Sequence, residues 1–145
     1  MAEKTIDIAS PILSRNERLA DQLRQRFNET NTYVINVLSS PGSGKTTTIL
    51  GTNSRLRDKA GLRCAVIEGD IASDVDAITM KEAGMPAIQI NTGGLCHLEG
   101  NMIMEAVDAF DQAVGLENID VIFIENVGNL VCPVDFDLGE NLSIM

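Results

Sequence analysis

The segment Ser39-Ser40-Pro41-Gly42-Ser43-Gly44-Lys45-Thr46 decides the fold of this 145-residue chain. It follows the apolar run 33–38, which predicts a β-strand, and it precedes a predicted helix over 45–59. Glycines at 42 and 44 let backbone N–H groups turn inward around phosphate oxygens, and the positive end of the following helix points at the same anion. The segment therefore predicts a phosphate-binding loop for a nucleoside triphosphate.

Two residues of this loop carry most of its chemistry. Lys45 supplies a positive charge to the β- and γ-phosphates, and Thr46 offers a hydroxyl to Mg²⁺. The strict pattern requires Gly at position 39, where this chain has Ser39, but the half of the loop nearest the phosphates is intact. A chance Gly/Ser turn is the alternative, and the flanking strand and helix argue against it.

Composition narrows the possible class of protein. The length fits about one domain with a real core, and a net charge of −10 disfavours broad binding to nucleic acid or to anionic membranes. No apolar stretch approaches the ~18 residues of a transmembrane helix, and the first residues lack the layout of a signal peptide, so a cytoplasmic protein is expected. Three cysteines are an odd, sparse set that favours free thiols or metal ligands over disulfides.

Helical and strand patterns alternate along the chain. An amphipathic N-terminal helix is expected at 14–28, opened by a capping box at Ser14 and Glu17. This order predicts an α/β protein, a three-layer P-loop NTPase fold with a mostly parallel sheet covered on both faces. The predicted domains are a helical extension (1–30) and a P-loop domain (31–145). The other predicted strands are 63–67, 87–91 and 121–125, and the other predicted helices are 74–83 and 98–113.

Carboxylates follow two of the predicted strands. Chemistry in parallel sheets collects at the carboxyl ends of the strands. There, Asp70 is placed to reach Mg²⁺ or its waters, and Glu125 resembles the acid that ends a nucleotide-binding strand. Gly128 is placed to meet a γ-phosphate through its backbone N–H. Each carboxylate alone is typical of a solvated loop, but together they favour a site.

A second group of residues lies in the loops after the third and fourth predicted strands. Cys96 and His97 occupy the first loop and Cys132 the second, and thiolate and imidazole suit Zn²⁺, Ni²⁺ or copper. Taken alone, such residues are more often packing residues. Cys64, inside the second strand, is interpreted as core. Three soft ligands leave a tetrahedral site incomplete, so water, substrate or a second subunit has to complete it.

Several motifs in a fixed order resemble those of the hydrogenase nickel-incorporation GTPases, the HypB family. The resemblance runs from Tyr33 to Glu140 and is carried by VLSSPGSGKTT, CAVIEGD, PAIQINTG, CHL, FIENVGNLVCP and FDLGE. It implies a G-domain of the signal-recognition-particle and nitrogenase-iron-protein class. It also implies slow GTP hydrolysis coupled to nickel delivery to [NiFe] hydrogenase.

The resemblance assigns roles to individual residues. It implies a metal site for Ni²⁺, with Zn²⁺ as an alternative occupant, formed by Cys96, His97 and Cys132 at a nucleotide-dependent homodimer interface. The acids Asp70 and Glu125 are implied as catalytic and Mg²⁺-binding groups with Lys45 and Thr46. The implied partners are a nickel chaperone of the maturation pathway and the hydrogenase large subunit. The implied nucleotide cradle comprises Ser40, Pro41, Gly42, Ser43, Gly44, Lys45, Thr46 and Thr47, with Gly128.

Two departures keep other functions open. Residues 1–30 lack the cysteine-rich or histidine-rich nickel motif of some family members, and the guanine-binding Asn-Lys-x-Asp motif lies beyond the last residues NLSIM. Four predicted strands are fewer than a complete G-domain has, so the chain is expected to lack the C-terminal strands and helices. An adenine-using P-loop NTPase and a nucleotide-dead metal-binding or dimerisation module are the alternatives.

Overall fold

A computed structural model describes residues 9–69 and 74–145. The described elements alternate between helix and strand, as the sequence predicts. The helices are α1 (Ala9–Glu29), α2 (Lys45–Ala60), α3 (Asp74–Glu82) and α4 (Gly100–Ala113). The strands are β1 (Tyr33–Val37), β2 (Cys64–Glu68), β3 (Ala87–Gln89), β4 (Val121–Glu125) and β5 (Leu142–Ile144), and short 3₁₀ helices span Leu116–Asn118 and Cys132–Asp135.

The strands form one sheet in the order β3-β2-β4-β1-β5, and every neighbouring pair is parallel. This confirms the predicted parallel α/β fold. All five residues of β2 and of β4 are buried, because helices cover both faces of a sheet of this kind. The carboxyl ends of the strands therefore meet along a single edge, which carries the loops discussed below.

The fifth strand corrects the prediction of four strands. β5 has only three residues and too little apolar length to be recognised from its own pattern. It pairs with β1, where the backbone and side chain of Asn141 exchange hydrogen bonds of 2.8 Å with the backbone of Val34. Pairing with a neighbouring strand, rather than local propensity, thus makes this segment a strand.

Two apolar clusters lie on opposite faces of the sheet and define the three layers. One contains Leu23 and Phe27 of α1 together with Phe110 of α4. The other contains Ile49 of α2 and Met80 of α3. The predicted N-terminal helix thus packs into the core beneath the strands. The capping box was wrong, because α1 begins before Ser14 and this residue lies inside the helix. Across the described residues, no helix is both long and apolar enough to span a membrane.

Candidate nucleotide and metal site

The phosphate loop joins β1 to α2, as predicted. Gly42 and Gly44 have φ angles of 73° and 92°, a region that L-residues rarely adopt. A Cβ added at either position meets nothing within 4 Å, so backbone conformation rather than space requires glycine there. Ser39, which replaces the expected glycine, accepts a 2.5 Å hydrogen bond from the Ser43 hydroxyl across the loop. The serine at position 39 therefore takes part in a hydrogen bond that spans the loop.

The start of α2 is open to an anion. Its N-cap is Gly44, and no side chain hydrogen-bonds to the first turn as a cap. The first N–H groups of a helix lack intrahelical partners and favour negative charge. Lys45, the first residue of α2, is only 6 % exposed. A buried lysine beside helix N–H groups that no side chain caps gives this loop a positive electrostatic potential, which favours phosphate binding.

Thr46 and Glu125 meet at the end of the sheet. The Thr46 hydroxyl donates a 3.0 Å hydrogen bond to Oε1 of Glu125, the last residue of β4. Hydroxyl and carboxylate oxygens are the ligands that Mg²⁺ prefers, so this pair fits the cation that accompanies a nucleoside triphosphate. The other predicted acid, Asp70, lies outside the described residues.

Glu68 places a further carboxylate at this site, although it is not among the residues predicted from the sequence. It is the last residue of β2, and it stands in register with Glu125. Both residues continue the side of their strands that carries Val66 and Phe123, the side on which α2 packs. Both are almost completely buried, at 1 % and 2 % exposed. Two carboxylates therefore lie side by side near the phosphate loop.

The segment after β4 contacts the phosphate loop directly. A Cβ added to Gly128 would lie only 3.0 to 3.2 Å from atoms of Pro41, so any larger residue would push the two segments apart by a few tenths of an ångström. Just before it, the buried Asn126 donates a 3.1 Å hydrogen bond to the side chain of Asn36, and its own oxygen accepts from the N–H of Val127. This buried pair fixes the start of the segment.

Cys96, His97 and Cys132, called the thiol cluster below, lie together. Sγ of Cys96 is 3.7 Å from Nδ1 of His97. A hydrogen bond with the Cys132 thiol, with some desolvation, raises the pKa of Cys96. Cys96 and Cys132 are half-buried, whereas Cys64 is buried in the core beside α2, as predicted. The two loops therefore meet at the strand-end edge.

His97 contacts Glu99 and Phe136, which are not among the residues predicted from the sequence. Its Nε2 is 3.0 Å from Oε1 of Glu99. Its ring stacks on Phe136, with ring centroids 3.9 Å apart and planes 11° apart. Glu99 is two residues from His97 along the chain, a spacing that does not by itself indicate contact. Phe136 comes from the other loop, so only the fold brings it to the ring.

The thiol cluster is bordered by exposed apolar side chains. Val131 is 77 % exposed, and the other members of this apolar border are Leu95, Leu130 and Val134. Within residues 9–69 and 74–145 no three His, Cys, Asp or Glu side chains are arranged to hold a metal ion as they stand. The cluster thus offers two thiols and an imidazole that need rearrangement or further ligands to surround a metal.

A further contact links the two parts of the site. Gly69, next to Asp70 in sequence, approaches Leu98 so closely that an added Cβ would lie 2.5 to 2.7 Å from its side chain. Its N–H also donates a 2.8 Å hydrogen bond to the carbonyl of Glu125. Leu98 is fully buried and follows His97 directly. The ends of β2 and β4 are thereby joined to the loop that carries the thiol cluster.

A strand, a glycine-dependent loop with a buried lysine and an open helix start define the nucleotide-binding domain of a P-loop protein. The family model described as "CobW/HypB/UreG, nucleotide-binding domain" matches residues 33–140. The chain belongs to this family.

Curated relatives and solved structures agree with this assignment. The chain is 43% identical to the hydrogenase/urease maturation factor HypB of Helicobacter hepaticus over 143 residues, which cover 99% of the chain. It is 46% identical to the hydrogenase maturation factor HypB of Escherichia coli K12 over 137 residues, or 94% of the chain. The crystal structure of Helicobacter pylori HypB in complex with nickel superposes with a TM-score of 0.79 at 40% identity, covering 89% of this chain and 58% of that one.

The chain spans about half the length of the curated relatives that it matches. The matched regions are 57% of the Helicobacter hepaticus protein and 45% of the Escherichia coli protein. The crystal structure of HypB from Archaeoglobus fulgidus gives the same picture, with a TM-score of 0.78 at 38% identity over 90% of this chain and 60% of that one. The matched region is thus only part of each of these proteins.

Proposed function

We propose that this chain is the nucleotide-binding part of a cytoplasmic GTPase that delivers nickel during [NiFe] hydrogenase maturation. The observation that carries the proposal is that a phosphate loop and a thiol cluster occupy the same edge of one sheet and contact each other through adjoining segments. An adenine-using P-loop NTPase has no need of a thiol cluster at that edge. The nickel in the related Helicobacter pylori structure supports the choice of metal.

The nucleotide chemistry falls to residues at the carboxyl ends of β1, β2 and β4. Lys45 and the backbone N–H groups of the phosphate loop bind the β- and γ-phosphates, and the Gly128 N–H faces the γ-phosphate. Thr46 and Glu125 hold the cation, together with Asp70. Mg²⁺, when bound, neutralises charge that develops on the transferred phosphoryl group.

Nickel is the cargo rather than a resident cofactor. Cys96 and Cys132 bind it as thiolates and His97 binds it as a neutral imidazole, with Zn²⁺ as an alternative occupant. Because one chain supplies only three such ligands, we propose that two copies meet through their thiol clusters and complete the site by symmetry. The exposed apolar border around the cluster supplies surface for that contact.

Nucleotide and nickel are proposed to be linked through the segment after β4. Cys132 lies four residues beyond Gly128, which touches the phosphate loop. A γ-phosphate that draws the Gly128 N–H inward moves Cys132 with it, which makes nucleotide binding, nickel binding and dimerisation reciprocal. Nickel is held in one nucleotide state and released in the other, to a maturation nickel chaperone or to the hydrogenase large subunit.

The metal half of the proposal is tested by ultraviolet charge-transfer bands on Ni²⁺ addition. The bands are expected in the wild type and in Cys64→Ala, and they are expected to be lost in Cys96→Ala and Cys132→Ala. Bands that depend on Cys64 instead would show that the thiols were wrongly assigned.

The nucleotide half is tested by competition of GTP and ATP for the protein, with and without Ni²⁺. Preference for GTP is expected, and sedimentation with GDP or a nonhydrolysable GTP analogue is expected to show a nickel-dependent change in mass. Equal affinity for ATP would favour the adenine-using NTPase. The absence of nucleotide binding with metal binding intact would favour the nucleotide-dead module.

A further inference from the structure

Glu99 faces one ring nitrogen of His97, and its chemistry fixes where the ring proton lies. At neutral pH a carboxylate only accepts hydrogen bonds, so the Nε2 that lies 3.0 Å from Glu99 carries the proton. In a neutral ring Nδ1 then holds the lone pair. Nδ1 faces Sγ of Cys96 at 3.7 Å, so this lone pair and the sulfur lie next to each other.

Glu99 stands at the start of α4, but its carboxylate does not act as a hydrogen-bonding cap. Glu99 is the N-cap residue of α4, where a side chain usually accepts from the N–H groups of the first turn. Here its side chain makes no cap hydrogen bond. The N–H of Gly100, the first residue of α4, donates a 2.6 Å hydrogen bond to Oδ1 of Asn16. The Glu99 carboxylate is therefore directed to His97.

The plane of the His97 ring is fixed separately. Phe136 stacks on the ring with an angle of only 11° between the planes, so the ring is confined to the plane in which Nε2 meets Glu99. Stacking sets the plane, and the carboxylate sets the orientation within it. Both are in place in the chain without metal.

We propose that Glu99 is a positioning residue that holds His97 in the Nε2–H form, so that Nδ1, and not Nε2, binds a thiophilic divalent metal ion beside Cys96. The part that concerns the metal rests on the proposed nickel site. A carboxylate behind a metal-binding imidazole fixes its tautomer and raises its basicity, and loss of such a partner typically costs about 10- to 100-fold in metal affinity.

The position of the His97 ring proton is tested by NMR in the absence of metal. The signals can be assigned without ambiguity because His97 is the only histidine in the sequence. Two-bond ¹H–¹⁵N spectra of histidine-labelled protein at pH 8 assign the ring proton. We expect it on Nε2, protected from solvent exchange in the wild type and in Glu99→Gln, whose amide oxygen still accepts. In Glu99→Ala we expect the protection to be lost. A ring proton on Nδ1 in the wild type, or unchanged protection in Glu99→Ala, would overturn the proposal.

The effect on metal is measured by Ni²⁺ titration of the same variants. We expect Glu99→Ala to bind Ni²⁺ about 10- to 100-fold more weakly than the wild type and Glu99→Gln to lose less. Glu105→Ala is the matched control, since it removes one exposed carboxylate from the same helix, and it should bind as the wild type does. Equal losses in Glu99→Ala and Glu105→Ala would mean that only bulk charge matters, and the proposal would fail.

Cys96→Ala and Cys132→Ala separate this inference from the proposed function. If both abolish Ni²⁺ binding while Glu99→Ala has no effect, the thiol cluster is the metal site and the role of Glu99 is wrong. If neither affects Ni²⁺ binding, the proposed metal site itself is wrong, and the metal part of the inference falls with it.

Discussion

The phosphate loop and the thiol cluster share one edge of the sheet but are built from different parts of the chain. The phosphate loop is a run of consecutive residues that presents backbone N–H groups, and its shape comes from the positive φ angles of Gly42 and Gly44. The thiol cluster presents side chains from two loops that are far apart in sequence. A backbone cradle is set by local conformation, whereas the cluster depends on how the loops after β3 and β4 pack.

This difference determines how each part responds to substitution. In the phosphate loop, most side chains are exposed and only Lys45 is buried. In the thiol cluster every functional group belongs to a side chain, and His97 contacts two further side chains that set its orientation. Single substitutions should therefore act on one part at a time, except at the glycines that join the two.

The largest expected effect is on nucleotide affinity in Lys45→Ala. Loss of a charged contact to the β- and γ-phosphates typically costs about 1.5–3 kcal/mol, or roughly a tenfold to hundredfold loss in affinity. Titration of a fluorescent nucleotide measures it. Lys59→Ala, an exposed lysine in the last turn of the same helix, is the control and should bind normally.

The same variant tests whether the two parts are separately built. Ni²⁺ affinity of Lys45→Ala, measured without nucleotide, should equal that of the wild type, since Lys45 belongs to the phosphate loop alone. If folded Lys45→Ala protein bound nucleotide with wild-type affinity, the assignment of this segment as the phosphate-binding loop would be wrong.

The next largest expected effect is on the pH dependence of the free energy of unfolding. It comes from Cys64, which is buried, whereas Cys96 and Cys132 are half-buried. Burial raises the pKa of Cys64 from 9.0 to about 11. A group whose pKa is raised on folding binds its proton more tightly in the folded state, so its contribution to stability is complete below pH 9 and is lost as pH rises towards 11. At 1.36 kcal/mol per unit, the loss in unfolding free energy is at most about 3 kcal/mol.

Urea unfolding at pH 8 and at pH 10.5 measures this loss. Cys64→Ser is the comparison, because its hydroxyl does not titrate in that range, and the difference in pH dependence between the two proteins isolates the thiol. Identical pH dependence in both would show that Cys64 is not the buried thiol that the packing indicates.

The two parts also differ in how far the sequence predicted them. The phosphate loop was predicted in place because strand, glycines, lysine and helix are consecutive and each has a local physical cause. Thr46 and Glu125 are predicted separately from their positions, and the fold brings their side chains into contact. The parallel sheet followed from alternating apolar runs, but β5 did not, since pairing with β1 creates it.

The surroundings of the thiol cluster could not be predicted in the same way. Cys96, His97 and Cys132 were selected by their chemistry, whereas Phe136 reaches His97 only through tertiary packing. Glu68 was also missed as a site residue, because a glutamate that ends a strand is usually solvated. Only the register with Glu125 shows that it is buried beside another carboxylate.

The smallest effect expected, about 1 kcal/mol, is at the junction of the two parts, in Gly128→Ala. A new Cβ lies 3.0 to 3.2 Å from backbone and ring atoms of Pro41, so the segment after β4 and the phosphate loop must move apart by a few tenths of an ångström. Overpacking of this kind typically costs about 1–3 kcal/mol, and the exposed loop relieves part of it. Nucleotide affinity should fall about fivefold, and the Ni²⁺ charge-transfer bands should change as Cys132 shifts with the segment.

Gly51→Ala is the control for this last substitution. A Cβ at Gly51, inside α2, meets nothing within 4 Å, so the change should stabilise the helix by up to about 1 kcal/mol and leave both ligands unaffected. If Gly128→Ala weakens nucleotide binding but leaves the nickel bands of the wild type, the contact with Pro41 serves the phosphate loop alone. The proposed linkage between nucleotide and nickel would then need another route, and the contact of Gly69 with Leu98 is the one that the packing offers.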